Sequence, residues 1–154
     1  GRLPVTFYAS DADLPDFGDY DMPGHTYRYF QGKPLFPFGH GLSFSNFKYR
    51  RAKYRDDVLR IPVKNVSKID GDEVVQVYIK KADDVDGPIM SLRGFKRVPV
   101  KAGKKAVVEI PMSAENIDLF NPETGKMEAA PGKYIVYYGG TSDITKLRKR
   151  TIKI

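Results

Sequence analysis

The sequence of 154 residues predicts an all-β fold preceded by an extended N-terminal segment. From Asn46 onward, apolar and polar residues alternate in short runs, which is the period of a strand with one buried face. Turn residues separate these runs, and no long stretch among them has the helical period of about 3.6 residues. With 41% hydrophobic and 29% charged residues the composition is that of an ordinary globular domain, so we expect a packed core.

The alternating runs supply the predicted core. The residues that we expect to face inward are Leu59, Ile61, Val63, Val75, Val77, Ile79, Val108, Ile110 and Met112. The last two strands are expected at 133–138 and 146–154, whereas 114–120, with Ser113 as a cap, has the composition of one helical turn. About seven short strands in about 110 residues are typical of an immunoglobulin-like or fibronectin-like β-sandwich.

Glycine and proline mark where the predicted strands end. The turn signals are Asp70-Gly71, Asp86-Gly87-Pro88, Ala102-Gly103, 121–125 and Pro131-Gly132, each of which offers a positive or a fixed φ angle. Pro62 and Pro111 cannot donate to a β-ladder, so we expect each on an edge strand, at a strand end or at a bulge.

The first 44 residues have a different character. The apolar segment Leu3 to Tyr8 fits a short buried strand without an obvious local partner. It is followed by five aspartates among prolines and glycines, which predict a loop. Counted from Asp11, this loop has Asp16 where an EF-hand has glycine and Met22 where it has glutamate, so a solvated acidic loop is favoured and only a looser calcium site stays open.

The net charge of +7 is unevenly distributed. Residues 1–44 carry three basic and five acidic side chains, whereas residues 45–154 carry twenty-three basic and fourteen acidic ones. The basic residues mostly alternate with apolar ones, and the densest cluster is Lys146 to Arg150. This alternation is typical of solvated strand faces and protected sheet edges. Binding of nucleic acid to the basic part is therefore the least favoured alternative.

The sequence shows no catalytic, metal or cofactor motif. The absence of cysteine excludes disulfides, thiolate metal sites and cysteine nucleophiles. His25 and His40 lack the spacing of zinc ligands, and there is no Gly-x-Ser-x-Gly nucleophile motif. No apolar run approaches the about 20 residues of a membrane span, and the start has neither an initiator Met nor a signal-peptide pattern. We therefore expect a mature or excised piece that uses no cofactor, metal or membrane.

Six stretches in fixed order carry a resemblance to a known family. They are GRLPVTFY, DYDMPGHTYRYF, KPLFPFGHGLSFSNFKY, GDEVVQVYIKK, SLRGFKRV and PGKYIVYYGG. In this order they resemble the C-terminal end of family 3 glycoside hydrolases, the β-glucosidase and β-xylosidase group. His25 stands where relatives often have arginine, and His40 where they often have tyrosine. The first difference removes a permanent charge and a bidentate donor.

The resemblance implies a division of the chain at residue 44. Residues 1 to about 10 would be the last strand of a preceding α/β sandwich domain, 11–44 an interdomain connector, and 45–154 a fibronectin type III-like β-sandwich. In the family the nucleophilic aspartate lies on a barrel domain and the acid/base commonly on the α/β sandwich domain. The resemblance therefore implies that this chain carries no catalytic residue, and Ser142-Asp143 is not the nucleophile motif.

The resemblance also frames the functional expectations. The leading hypothesis is an accessory domain of a periplasmic or extracellular β-glycosidase that packs against its own upstream catalytic domains and stabilises them. Tyr27, Arg28 and Tyr29 are the candidates for contact with a β-linked oligosaccharide in the intact enzyme, and a carbohydrate-binding module is the alternative. We expect residues 34–47 to form the rigid junction between domains, with their rings buried against the neighbouring domains. An exposed strand at Leu3 to Tyr8 would allow a homodimer.

Overall fold

The computed structural model describes residues 1–113, 117–121, 124–129 and 131–154. Two short helical elements lie near the N-terminus, a 3₁₀ turn at Asp11–Asp13 and the one-turn helix α1 at Thr26–Tyr29. The described strands are β1 Phe47–Tyr49, β2 Lys53–Arg55, β3 Val58–Asn65, β4 Gly71–Lys81, β5 Ser91–Val100, β6 Lys105–Pro111, β7 Asp118–Asn121, β8 Lys126–Ala129, β9 Lys133–Gly139 and β10 Arg148–Lys153. Neither helix is long and apolar enough to cross a membrane.

The strands form two four-stranded sheets and one hairpin, all antiparallel. In sheet one, β3 pairs with β6 on one side and with both β1 and β2 on the other. Sheet two has the order β10-β9-β4-β5, and β7 pairs with β8 in the hairpin. The predicted all-β sandwich is confirmed.

The core lies between the two sheets, on the faces that the alternation predicted. Every residue expected to face inward is at most 4% exposed, from Leu59 and Ile61 on β3 to Met112 beyond β6. β9 adds Tyr134, Val136 and Tyr138 to this core, although the Tyr138 hydroxyl reaches the Arg50 carbonyl. Burial of these apolar surfaces is the main favourable term in folding.

The two prolines occupy positions where a missing amide proton does little harm. Pro111 ends β6, which among the described strands pairs only with β3 and lies at the edge of sheet one. Pro62 lies inside β3, but β2 pairs with Val58 to Arg60 and β1 with Val63 to Asn65, so Pro62 falls between the two ladders. Its carbonyl accepts a hydrogen bond from the Arg50 amide at 2.9 Å.

Most turn predictions agree with the structure, and one helix prediction does not. Gly103 and Gly125 have φ angles of +69° and +66°, the left-handed region that favours glycine. Residues 114–116 of the expected helical turn lie outside the described residues. The rest of that prediction was wrong, since Asp118–Asn121 form β7 and pair with β8.

The N-terminal segment runs over the outer face of sheet two, and here the structure corrects the expectation of an unpartnered strand. The Leu3 amide donates to the His40 carbonyl and the Gly39 amide to the Leu3 carbonyl, both at 2.8 Å. Further along, Phe7 exchanges hydrogen bonds with the chain at Leu35 and Phe36. Leu3 to Tyr8 therefore has a partner within the chain, through an isolated bridge and not a regular ladder.

The acidic loop uses its carboxylates to close its own turns. Asp16 accepts a hydrogen bond from the Gly18 amide at 2.8 Å, and Asp19 accepts one from the Asp21 amide at 2.9 Å. Aspartates in this role stabilise turns without any bound ion. Among the described residues, no three His, Asp or Glu side chains come close enough together to hold a metal.

Candidate functional site

The contact between Gly39 and Gln76 fixes the whole N-terminal segment of residues 1–44, called the connector below, on sheet two. Gln76 faces away from the sandwich core but is only 3% exposed, because residues 38–40 cover it. Its side-chain amide donates to the carbonyls of Gly39 (3.1 Å) and Gly140 (2.9 Å), and its carbonyl accepts from the Tyr78 hydroxyl. Gly39 has φ +74°, and a Cβ there would lie 2.0 Å from Gln76 Oε1. Only glycine fits this position.

A buried ion pair makes a second connection. Arg2 of the connector lies 2.9 Å from Glu73 of β4, whose side chain is 5% exposed. The Tyr49 hydroxyl of β1 donates to the same carboxylate oxygen at 2.7 Å, so the group joins both sheets and the N-terminus. Burial raises the pKa of Glu73 above its usual range, and the hydrogen bonds from Tyr49 and Arg2 offset only part of this. Burial and the neighbouring Glu73 carboxylate also raise the pKa of Tyr49.

The three sequence-predicted site residues lie along one cleft. Tyr27, Arg28 and Tyr29 form α1 and line a cleft of about 910 Å³. Its other walls come from residues 81–88, from the start of β5 and from the β7–β8 hairpin. The structure thus brings all three candidates together with parts of the sandwich, whereas His25 and His40 are not among the residues that line this cleft.

The three residues differ in how free they are to meet a ligand. The Tyr27 ring is stacked on Phe38 at 4.4 Å and meets Tyr78 edge-on at 5.7 Å. Its hydroxyl accepts a hydrogen bond from the Leu92 amide at 3.0 Å, so Tyr27 already serves to hold the connector on the sheet. The Arg28 guanidinium lies 5.6 Å from the centre of the Tyr29 ring. Contact of these residues with a sugar stays a prediction.

The sequence did not predict the polar residues of the other walls, among them Ser91 and Arg93. Opposite Val77 and Tyr78, the register of β5 shifts, so that Arg93 has no partner residue on β4. Gly94 follows directly, and a Cβ there would lie 2.6 Å from Ile110 Cγ2 across the core. The glycine of the SLRG segment was the available signal, since glycine inside a strand often marks a bulge or a close approach.

The connector leaves many apolar side chains in solvent. Within residues 1–44, ten large apolar side chains are more than 40% exposed: Val5, Phe7, Leu14, Phe17, Tyr20, Met22, Leu35, Phe36, Leu42 and Phe44. Phe17 and Phe44 are almost completely exposed, at 98% and 96%. Of the rings in residues 34–47, Phe38 stacks on Tyr27 and Phe47 packs against the sandwich core, whereas Phe36 and Phe44 are exposed. Burial of the exposed rings against neighbouring domains stays a prediction. Exposed apolar side chains in such number are typical of binding surfaces.

Comparisons with known proteins show what this architecture is similar to. The fibronectin type III-like domain family matches residues 73–142. A xylan 1,4-β-xylosidase of Xylanibacter ruminicola is 44% identical along the whole chain, and a periplasmic β-glucosidase of Salmonella typhimurium is 28% identical along 90% of it. The chain spans 18% and 21% of the length of these two relatives.

Solved structures of β-glucosidases are similar to this chain in three-dimensional fold as well. A β-glucosidase from Kluyveromyces marxianus matches the whole chain with a TM-score of 0.84 at 31% identity. A β-glucosidase from Streptomyces venezuelae in complex with D-glucose matches it with a TM-score of 0.85 at 26% identity. The chain covers 21% and 23% of these two proteins, so the connector and the sandwich together correspond to one part of each.

Proposed function

We propose a non-catalytic, accessory role for this chain, which belongs to the family 3 glycoside hydrolases as the fibronectin type III-like domain of their C-terminal region. In this role the chain packs against the catalytic domains of a β-xylosidase or β-glucosidase and stabilises them. Hydrolysis of the glycosidic bond belongs to those domains. The observation that carries the proposal is that the match spans the whole chain but only about a fifth of the relatives.

The exposed side chains of the connector support packing against further domains. Rings such as Phe17 and Phe44 gain about 25 cal/mol for each Å² of apolar surface that another domain covers. We propose that residues 1 to about 10 complete a preceding α/β sandwich domain, that 11–44 connect the domains, and that 45–154 form the accessory sandwich. The periplasmic relative supports a periplasmic or extracellular location.

An activity assay tests the absence of catalysis. The isolated chain should not hydrolyse aryl β-xylosides or aryl β-glucosides. A chimera in which this chain replaces the matching region of the X. ruminicola xylosidase should keep that enzyme's activity, because the accessory role needs only a compatible interface. The proposal would be contradicted if the isolated chain showed turnover and if replacing one of its own Asp or Glu residues abolished that turnover.

The same chimera tests the packing role. Phe44→Ser should leave the stability of the isolated chain almost unchanged, because the ring is 96% exposed. In the chimera it should lower the melting temperature by several degrees, since the ring would be covered there. Phe95→Ser is the matched control, because Phe95 is 67% exposed on β5, outside the connector. Equal effects of both substitutions in both proteins would argue against docking through the connector.

A second candidate function is the binding of a β-linked oligosaccharide in the cleft of Tyr27, Arg28 and Tyr29. It is favoured by the size of the cleft, which is in the range of small-molecule sites. Titration of the chain with xylo-oligosaccharides, cello-oligosaccharides and laminarin, followed by calorimetry, tests it. Saturable heat that disappears in Tyr29→Ala would support binding. If none of these saccharides gave heat, the accessory role would be the only function supported.

A further inference from the structure

The cleft beside α1 concentrates buried polar atoms that have no hydrogen-bond partner. Across the described part of the chain five such side-chain atoms occur, and three of them belong to residues that line this cleft: Arg28 Nε, Ser91 Oγ and Arg93 Nε. Ser91 as a whole is only 6% exposed. Buried polar groups are nearly always hydrogen-bonded, and an unsatisfied one calls for a missing partner. Three in one cleft therefore make it the strongest candidate for a ligand site among the described residues.

The partners of the charged groups in the cleft favour a ligand that accepts hydrogen bonds. Its three carboxylates are all engaged: Asp83 with Lys81 at 3.6 Å, Asp84 with the Gly87 amide at 2.9 Å, and Glu128 with Asn121 and Thr124 at 3.0 and 2.6 Å. In contrast, within the described ranges neither Arg28 nor Arg93 has a carboxylate within 4.0 Å. Arg93 donates one hydrogen bond, to the Asp118 carbonyl at 2.7 Å. Each carboxylate of the cleft thus has a donor, whereas polar atoms of Arg28, Ser91 and Arg93 lack an acceptor among the described residues.

We propose that Arg28, Ser91 and Arg93 bind the carboxylate of a small acidic ligand in this cleft. Guanidinium groups present planar pairs of donors that match a carboxylate, and the serine hydroxyl adds a neutral donor. The carboxylate has two sources, a simple organic acid or the carboxyl group of a uronic acid. The site goes beyond the accessory role and does not depend on it, and it is the alternative to a neutral oligosaccharide in the same cleft.

The acidic residues on the same walls favour a single negative charge on the ligand. A phosphate group carries more charge than a carboxylate near neutral pH, and Asp83, Asp84 and Glu128 would repel it more strongly. A neutral sugar would leave both arginines without a counter-charge. A carboxylate is the group that satisfies the arginines with the least repulsion.

A titration followed residue by residue tests the ligand class. The backbone amides of Arg28, Ser91 and Leu92 are observed by NMR at constant ionic strength while sodium acetate, sodium D-glucuronate, sodium phosphate or D-glucose is added. Saturable shifts with acetate and glucuronate are expected. Equal affinity for both identifies a simple carboxylate as sufficient, whereas tighter binding of glucuronate identifies a uronic acid. Absence of saturation with both carboxylates, or equal or tighter binding of glucose or phosphate, would overturn the proposal.

Charge-matched variants test the residues. Arg28→Met and Arg93→Met should each weaken the binding of the preferred carboxylate by about tenfold or more, because a charge-assisted hydrogen bond is lost. Arg97→Met is the control, since Arg97 lies on the same strand as Arg93 but pairs with Asp72 on the surface. If Arg97→Met lost as much affinity, the effect would come from net charge alone, and the proposed site would be overturned. Should an arginine variant not fold, Ser91→Ala should still weaken binding several-fold, and unchanged affinity would contradict the proposal.

Discussion

The connector of residues 1–44 and the sandwich of residues 45–154 are ordered by different interactions. The sandwich has long antiparallel ladders and a core of side chains such as Leu59, Val77 and Val136 that are fully buried. The connector has one isolated bridge and no buried large apolar side chain. It lies on the outer face of sheet two through the Gly39–Gln76 contact, the Tyr27 ring and the Arg2–Glu73 pair.

The order of the connector depends on the sandwich, whereas the sandwich has a core of its own. Hydrophobic burial orders the sandwich by itself, whereas the connector is held by a few specific polar contacts and ring stacks. Such contacts fix its position and leave its apolar side chains free for another domain. Substitutions in the sandwich core should therefore affect the whole chain, and substitutions in the connector should act only at its few contacts.

The largest expected effect comes from a core leucine. Leu59→Ala should lower the free energy of unfolding by about 2–5 kcal/mol, because Leu59 is fully buried and its removal leaves a cavity. Leu42→Ala is the matched connector variant and should change stability by less than about 0.5 kcal/mol, since Leu42 is 90% exposed. Urea denaturation measures the free energy of unfolding of both variants. Similar losses would contradict the view that the sandwich core, and not the connector, stabilises the chain.

The next effect concerns the contact of the connector with sheet two. Gly39→Ala should destabilise the chain by about 3 kcal/mol, because it combines a positive φ angle with a clash against the buried Gln76 amide. Gly24→Ala is the control, since Gly24 has φ +79° but a methyl group added to its Cα would meet no atom within 4 Å. It should cost only about 1 kcal/mol of backbone strain. Thermal unfolding measures the stability of both variants. Equal losses of stability would show that the contact with Gln76 contributes nothing beyond backbone strain.

A smaller, pH-dependent effect is expected at the Arg2–Glu73 pair. The pKa of Glu73 is raised in the folded chain, so its contribution to stability is fully present below about pH 4, the unfolded value, and is lost as the pH rises through the folded value. Glu73→Gln stays neutral and avoids this loss. Relative to the wild type, the variant should therefore gain stability between about pH 4 and 7. A relative loss over this range would mean that Arg2 outweighs burial.

The smallest effect has the opposite sign and lies in the loop after β9. Burial tends to raise the pKa of Asp143, but hydrogen bonds from Thr145 and Lys146 outweigh it and lower the pKa below its usual value. Its contribution is present above about pH 4 and is lost as the pH falls through the folded value. The advantage of the wild type over Asp143→Asn should thus shrink in acid. Chemical denaturation between about pH 3 and 6 measures this stability difference. A difference that grows as the pH falls would contradict the lowered pKa of Asp143.

The sandwich was predictable because strand periodicity determines which side chains face inward. Leu59, Ile61 and Val63 alternate with Arg60, Pro62 and Lys64, so a strand with one face inward buries all three together. The same pattern would place Gln76 and Tyr78 in solvent, yet both are buried, because a distant part of the chain covers the second face of sheet two. Periodicity contains no information about that contact.

The candidate cleft was predictable only in part for a similar reason. Tyr27, Arg28 and Tyr29 are adjacent in sequence and were found by resemblance, whereas Ser91 and Arg93 reach the cleft through a register shift in β5. The partner of Leu3 to Tyr8 also lies far along the chain, at 35–40. Pairing at such separations depends on tertiary contacts, which local propensity does not specify.

Hydrogen exchange of backbone amides tests most directly whether the connector is ordered on the sandwich. The amides of Leu3, Phe7, Gly39 and Ser142 donate hydrogen bonds that hold the connector on itself or on sheet two, whereas most of the acidic loop is exposed. These four amides should exchange measurably more slowly than the amides of Phe17 and Tyr20, and in Gly39→Ala their protection should fall while that of Val77 in β4 persists. Fast exchange of all four in the unmodified chain would contradict the account.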